Sequence, residues 1–377
     1  MRIVLFGATG YTGRLTAEAM VRAGLAPVLA GRHHDAVARL ADRLAPLAPS
    51  RDTEPRIALA DVSDPASVRA LLESPSDVLV TTVGPFIDLG AAAVEAAIDA
   101  GAAYLDSTGE PPFIRRVFDE WGPRAKSTGA RLMTAFGYDY VPGNLAGALA
   151  LRRCREAGVP AARVDIGYFI DGQFAISSGT RASAVGVLLA PSYGFSCGTV
   201  VERRSPGGRT RTFDLGRGRK WTGLPVAGSE HLSLPRVDPA LTDVDVWLGW
   251  AGRWTKPASY AGTALGALAG IPGLGSGATS WVSRRAARTT GAGPDAAARA
   301  AARTIVQADA SDPVGRELAS VRLEGPSPYD LTADLLAWGA AMAATRTVAP
   351  GAHGPVDAFD LEALERGCSD MGLVAVT

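Results

Sequence analysis

Four apolar residues, Ile3-Val4-Leu5-Phe6, run directly into Gly7-Ala8-Thr9-Gly10-Tyr11-Thr12-Gly13, and a stretch with helical spacing opens at once behind the last glycine. A buried strand that must turn this sharply into a helix needs a backbone free to take positive φ. Glycine at every third position asks for close packing as well. Gly7 is expected to make the tight turn, Gly10 to let a pyrophosphate approach the backbone, and Gly13 to let the helix lie close on its strand. The helix N-terminus would present N–H groups and the positive end of its dipole to phosphates. Thr9, Tyr11 and Thr12 fall in the same turn, and the two threonines can add hydroxyl donors.

The rhythm continues along the chain. Short apolar runs at residues 2–6, 27–30, 57–60, 77–82, 103–106 and 131–134 alternate with helical patterns at 15–23, 35–44, 67–72 and 91–100. Strands alternating with helices at this spacing make a parallel sheet. At 377 residues the chain has room for two or three domains of roughly 100–200 residues each. The later strand-like runs, 164–170, 199–204, 210–215, 303–310 and 317–323, are linked differently. Ser205-Pro206-Gly207-Gly208 between the second and third predicts an antiparallel hairpin, and Ser311-Asp312-Pro313-Val314-Gly315 separates another strand pair. The fold class expected is α/β, a Rossmann doubly wound parallel sheet with an inserted α+β substrate domain built on a largely antiparallel sheet. The boundaries expected are 1–145 for the dinucleotide, 146–330 for substrate and, in a homodimer, for subunit contact, and 331–377 as C-terminal helices packing back on the first domain.

Where a site selective for NAD would offer a carboxylate at the end of the second strand, this chain reads Ala30-Gly31-Arg32-His33-His34. The planar, permanently charged guanidinium of Arg32 suits a 2′-phosphate and stacking on adenine, so NADP(H) is the expected cofactor. His33 and His34 are expected in solvent at the next helix start. Asp61, ending the third strand, is a candidate for the adenine amino group. The fourth strand ends in Thr81-Thr82-Val83-Gly84-Pro85-Phe86. By the switch-point rule, Val83, Gly84, Pro85 and Phe86 should lie along the ribose and nicotinamide.

Zero net charge and a 20% charged fraction leave no basic field for nucleic acid. Three scattered cysteines, Cys154, Cys197 and Cys368, fit neither a disulfide framework nor a zinc site and suit a reducing cytoplasm, and no metal is expected. No secretion leader is expected, since the opening residues run straight into the first strand. Residues 258–282 are apolar but broken by several glycines and Pro272. They are expected as loop or short helices over the substrate rather than as a spanning segment, with weak peripheral membrane contact as the other reading. The Tyr-Lys chemistry of short-chain dehydrogenases is excluded, because none of the tyrosines has a lysine four residues later.

The glycine turn, Ala30-Gly31-Arg32, the 81–86 motif, Tyr104-Leu105-Asp106-Ser107-Thr108-Gly109-Glu110 and Gly137-Tyr138-Asp139-Tyr140-Val141-Pro142 together resemble the saccharopine dehydrogenase-like oxidoreductases, which include trans-acting enoyl reductases of actinobacterial polyketide and lipid pathways. The resemblance is good over roughly the first 150 residues and looser at Ser178-Gly179-Thr180 and Pro328-Tyr329-Asp330-Leu331-Thr332. It implies a Rossmann domain, an inserted substrate domain and hydride transfer to or from a C=C or C=N bond. The enoyl reductase pattern Phe-Asp-Ser-Ile reads Tyr138-Asp139-Tyr140-Val141 here.

Hydride transfer is cofactor chemistry, so the protein must orient the nicotinamide and supply a proton or hydrogen bond. Tyr138, Asp139 and Tyr140, after the sixth strand, are the catalytic candidates. Asp106 is a candidate substrate contact, with Glu110 nearby, and helix capping is the other reading. Ser178, Thr180 and Arg181 precede an apolar helix, a place suited to an anionic group. His231 reads as an ordinary surface histidine. The leading function is NADPH-dependent reduction of a conjugated C=C bond in a carbon-rich small molecule, free or carrier-bound. An imine or secondary-amine oxidoreductase and a non-catalytic NADP(H)-binding regulator stay open beside it.

Overall fold

The computed structural model describes residues 1–172, 192–203, 209–216, 218–250 and 293–376. The chain forms two compact units. The first comprises Met1–Thr108, Phe113–Val141 and Tyr329–Ala363, and the second Gly109–Pro112, Pro142–Pro328 and Leu364–Thr377.

The first unit alternates β1 (Ile3–Phe6), α1 (Tyr11–Arg22), β2 (Pro27–Gly31), α2 (His34–Leu44), β3 (Arg56–Leu59), α3 (Pro65–Arg69), β4 (Val78–Thr81), α4 (Phe86–Leu89), α5 (Ala91–Ala100), β5 (Ala103–Asp106), α6 (Pro111–Arg116), α7 (Gly122–Thr128) and β6 (Arg131–Met133). The sheet order is β6-β5-β4-β1-β2-β3, with a short strand, Gly351–Ala352, beyond β6. Every pairing in it is parallel. β1, β2, β4 and β5 are buried along their whole length, which is why they read as near-continuous apolar runs. β3 differs from the buried strand expected at 57–60. It pairs only with β2, and as the edge strand it leaves Ile57 and Leu59 exposed. The order reverses between β1 and β4, so the crevice beyond their C-terminal ends is where a dinucleotide binds in such sheets.

Ala93, Val94, Ala97 and Ile98 of α5 are buried, as are Val37, Leu40 and Leu44 of α2, each set on one helical stripe. The helix Pro328–Thr345 brings Trp338 against Phe136 and Phe359, with ring centroids 6.3 and 5.4 Å away. This aromatic group anchors the segment that follows β6.

The second unit starts with most of α8 (Val141–Glu156) and carries β7 (Arg163–Asp171), β8 (Ser192–Ser196), β9 (Thr199–Arg203), β10 (Arg211–Asp214), β11 (Lys220–Val226), β12 (Asp243–Leu248), β13 (Arg303–Ser311) and β14 (Glu317–Gly325). Its sheet runs β10-β11-β12-β7-β13-β14, ending on the strand Val374–Val376, with β8 on β12 and β9 on β8. All of these pairs are antiparallel except β7–β12. The hairpin expected between 199–204 and 210–215 is replaced by two others. β9 pairs upstream with β8, and β10 pairs downstream with β11. Residues 205–208, the proposed turn, lie outside the described residues. The C-terminal stretch 331–377 divides rather than packing as one piece, because Val374–Val376 completes the second sheet against β14.

Three carboxylates stand in register across that sheet, since Asp165 of β7 pairs with Asp245 of β12 on one side and Asp309 of β13 on the other. All three are buried. Arg163 reaches Asp165 at 2.7 Å and also contacts Asp245, Arg203 contacts Asp245, and Arg209 reaches Asp245 at 3.2 Å. Arg211 links Asp165 and Asp309 at 2.9 and 3.2 Å. Burial alone would push the Asp245 carboxyl up; Arg203, then Arg163 and Arg209, overcome it and hold it below its ordinary value.

Candidate functional site

At the end of β1, Gly7 takes φ +86°, and the N–H groups of Gly7 and Ala8 both donate to the Ala30 carbonyl of β2, at 3.0 and 3.2 Å. A Cβ at Gly7 would sit 2.7 Å from Val83 Cγ2, and one at Gly13 would sit 2.2 Å from the Gly7 carbonyl oxygen. Both glycines are therefore steric requirements of the turn. Gly10 is exposed and forms the N-cap of α1, which among the described residues has no side-chain cap and no acid in its first turn. The positive helix end is left for an anion, and the residues present fit a dinucleotide pyrophosphate. Thr9 and Thr12 are half-buried, and the Tyr11 ring meets Tyr329 edge-on at 5.0 Å.

Beyond β2, Arg32, His33 and His34 are exposed, and Arg32 Nε donates to His33 Nε2 at 3.2 Å. Asp61, one strand over, accepts from the Ser63 N–H at 2.9 Å and its hydroxyl at 2.8 Å. These bonds hold its carboxyl below the usual range, and the charges of Arg32 and His33 add to the effect. At the end of β4, Thr82 Oγ1 donates to the Gly7 carbonyl at 3.2 Å, which ties the two strand ends of the switch point together. Val83 and Pro85 are half-buried and Gly84 is exposed, and the Gly84–Pro85 peptide is cis. Phe86 turns the other way, into the core against Phe113 at 5.6 Å. Val83, Gly84 and Pro85 thus form the exposed lip, and Phe86 supports it from beneath.

Asp106, ending β5, is fully buried. Its Oδ1 accepts from the N–H groups of Thr108 and Ala135, both at 2.9 Å, and its Oδ2 from the Thr134 hydroxyl at 2.7 Å. Burial raises its carboxyl to about 6 in spite of these donors. The structure gives Asp106 the work of clasping the chain after β5 to the chain after β6, where Ala135 is held at φ +56°. The next residues are fixed in turn. Phe136 N–H donates to the Asp106 carbonyl at 2.7 Å, Tyr138 N–H to Thr332 Oγ1 at 3.0 Å, Tyr140 N–H to the Ala135 carbonyl at 2.9 Å and Val141 N–H to the Gly137 carbonyl at 3.0 Å. Tyr138 and Tyr140 are buried, whereas Asp139 between them stays partly exposed. Desolvation pushes the Asp139 carboxyl up to about 7. The tie to Thr332 carried no signal in sequence, because it depends on a helix some 190 residues away that is placed only by the fold.

In the second unit, Tyr168 of β7 accepts from the Gly143 N–H in the first turns of α8 at 2.8 Å and donates to Glu230 Oε1 at 2.6 Å. Asn144 Nδ2 donates to Ser229 Oγ at 3.0 Å, and Ser233 Oγ donates to Asn144 Oδ1. His231, read from sequence as a surface histidine, is fully buried, with Nδ1 on the Gly228 backbone and its ring edge-on to Tyr193, and burial lowers its imidazole to about 4. It is neutral at pH 7. Ser178, Thr180, Arg181 and the stretch 258–282 lie outside the described residues. Among the described residues no cluster of three or more His, Cys, Asp or Glu could hold a metal.

A doubly wound parallel sheet with an anion-accepting glycine turn at its switch point defines a dinucleotide-binding protein of the Rossmann class. A family model described as the saccharopine dehydrogenase NADP binding domain matches residues 3–132. Rv2449c of Mycobacterium tuberculosis, provisionally named a trans-acting enoyl reductase, is 31% identical over 369 residues, covering 89% of this chain and 86% of that protein. A trans-acting enoyl reductase of Mycobacterium bovis is 39% identical over 158 residues, 41% of this chain and 37% of its own length. Two solved structures share the fold. Saccharopine dehydrogenase (L-Glu forming) from Saccharomyces cerevisiae covers 100% of both chains with a TM-score of 0.62 at 12% identity, and homospermidine synthase from Legionella pneumophila, in complex with NAD, covers 100% of this chain and 91% of its own with a TM-score of 0.58 at 10% identity. The chain belongs to the saccharopine dehydrogenase-like oxidoreductases. It is an NAD(P)-dependent oxidoreductase, and NADP(H) is its cofactor. Among the described residues no helix is long and apolar enough to cross a membrane.

Proposed function

We propose that this protein reduces a conjugated, enoyl-type C=C bond of a carbon-rich substrate, free or carrier-bound, and that Asp139 handles the proton. The observation that carries this reading is the Asp139 carboxyl, partly exposed, rigidly held by its backbone neighbours and raised to about 7. A general acid works best with a pKa near the operating pH. Bound NADPH supplies the hydride. With a hydride supplied to the β-carbon, Asp139 would hold the proton that completes the saturated bond and pass it to the α-carbon. Gly7, Gly10 and Gly13, with Thr9, Tyr11 and Thr12, hold the pyrophosphate, Arg32 the 2′-phosphate and Asp61 the adenine amino group. Val83, Gly84 and Pro85 lie along the ribose and nicotinamide with Phe86 behind them, and Asp106 fixes the loop that carries Asp139. Ser178, Thr180 and Arg181 are assigned to an anionic part of the substrate on sequence grounds. A cytoplasmic homodimer, with substrate held by residues 146–330, completes the reading.

Support for enoyl chemistry comes from the names of the mycobacterial relatives. The Tyr138-Asp139-Tyr140-Val141 stretch, where the enoyl reductase pattern has Phe-Asp-Ser-Ile, favours a second reading, reduction of a C=N bond, in which Asp139 would hold the iminium form. Asp139→Asn tests the role common to both. General acid catalysis contributes typically about 100- to 10,000-fold, so turnover should fall in that range while NADPH binding, followed by its fluorescence, stays within about twofold. Unchanged turnover in the variant would remove Asp139 from the reaction.

A further inference from the structure

Bonds of two kinds fix the loop that carries Asp139. The Tyr140 and Val141 N–H groups bond to carbonyls of the loop itself, at Ala135 and Gly137, whereas the Tyr138 N–H crosses to Thr332 Oγ1, at 3.0 Å, on the helix Pro328–Thr345. From Tyr329 onward this stretch belongs to the first unit. The contact explains why position 137 is glycine. A Cβ there would lie 2.9 Å from Thr332 Cγ2 and 3.2 Å from its Oγ1, so the missing side chain is what lets the helix come within hydrogen-bond reach of the next residue. Gly339, about two turns beyond Thr332 and hence on the same helical face, makes a second close approach, since a Cβ there would lie 2.5 Å from Phe136 Cε1.

Tyr329 lies one turn before Thr332, and its ring meets that of Tyr11 edge-on at 5.0 Å. Residues three apart on a helix share a face. One face of this helix therefore touches both the turn assigned to the cofactor and the loop assigned to the proton donor. A proton donor has to stand in a fixed relation to the seat of the cofactor, because a displacement of about 1 Å at a reacting group can cost about 100-fold in rate.

We propose that Thr332 is a positioning residue of the reaction, which by accepting the Tyr138 N–H holds Asp139 in register with the turn that seats the cofactor. It acts through Asp139 and not on the substrate. The inference rests on the reading of Asp139 as the proton donor. Two substitutions separate its hydroxyl from its shape. Thr332→Val keeps the branched side chain against Gly137 but leaves the buried Tyr138 N–H without this acceptor, whereas Thr332→Ser keeps the acceptor and gives up the methyl group.

The experiment uses the full chain and begins without cofactor. Amide exchange of residues 136–141, read by mass spectrometry, should quicken in Thr332→Val and return to the wild-type rate in Thr332→Ser. With NADPH and dodecenoyl coenzyme A, turnover should fall about 10- to 100-fold in Thr332→Val and stay near wild type in Thr332→Ser. NADPH affinity, followed by fluorescence, should stay within about twofold in both. Added to Asp139→Asn, Thr332→Val should slow turnover no further, because a residue that acts through Asp139 then has nothing left to position. An equal loss in the Asp139→Asn background and in wild type, unchanged exchange in Thr332→Val, or a serine variant as slow as the valine one would overturn the role of Thr332 and leave that of Asp139 standing. Undiminished turnover in Asp139→Asn itself would fail the reading of Asp139, and the role of Thr332 with it.

Discussion

In the proposed reaction a single carboxylate, Asp139, handles the proton; its neighbours Tyr138 and Tyr140 are buried while it stays partly exposed. Its carboxyl, raised to about 7 by desolvation, is protonated below that pH and ionised above it. If it donates the proton, the rate of reduction is highest below about pH 7 and falls about tenfold per unit above it, a slope that Asp139→Asn should flatten. The glycine turn makes a harder prediction. With 2.2 Å between a Cβ at position 13 and the Gly7 carbonyl, Gly13→Ala must push α1 off its strand. NADPH binding should be lost in that variant, which fluorescence titration would reveal. Arg32→Ala should lower NADPH affinity by about 10- to 100-fold, the worth of a charged hydrogen bond, and leave NADH affinity nearly unchanged.

Among the elements, the ends of β5 and β6 matter most, because the Asp106 clasp joins them. Asp106→Ala leaves the N–H groups of Thr108 and Ala135 and the Thr134 hydroxyl without their acceptor, and should cost about 3 kcal/mol, measurable by chemical denaturation. The pH dependence has a definite sign. With the folded carboxyl at about 6 and the unfolded one near 4, the stability Asp106 contributes is complete below about pH 4 and is lost as pH rises through about 6, an effect of up to about 3 kcal/mol that Asp106→Asn should remove. The elements of the first unit were legible in the sequence because its fully buried strands are nearly continuous apolar runs and glycine marks the turns at the ends of β1, α1, β2, β4, α5 and α7. β8 and β11 were not, since Gly194 sits in one and Gly223 and Pro225 in the other, and such residues ordinarily argue against a strand. β12 alternates Asp and Val with period two, but its carboxylates read as exposed when the arginines that bury them lie elsewhere in sequence. The same holds for Asp106 and Asp139, whose positions after strands could be read but whose burial could not.

The two units differ in what holds them. The first rests on apolar strands between helices, and the second places a ladder of buried carboxylates under arginines across its sheet. Replacing Asp245 with alanine removes the charge that Arg163, Arg203 and Arg209 share, and breaking such a buried set costs about 3–5 kcal/mol. Thermal unfolding should report the loss, while NADPH affinity, set by residues of the first unit, should remain within about twofold of wild type. A parallel drop in NADPH affinity would mean that the ladder supports the nucleotide site as well.

The proposed reaction is an NADPH-dependent reduction of a carbon–carbon double bond. The direct measurement is NADPH oxidation by the purified full chain, presented separately with enoyl thioesters and with cyclic imines of matched size, with NADH as the parallel donor. Oxidation of NADPH by the enoyl thioesters, slower with NADH and lowered about 100- to 10,000-fold in Asp139→Asn, is the predicted result. Turnover confined to the imines, or NADPH binding without oxidation on either panel, would contradict it.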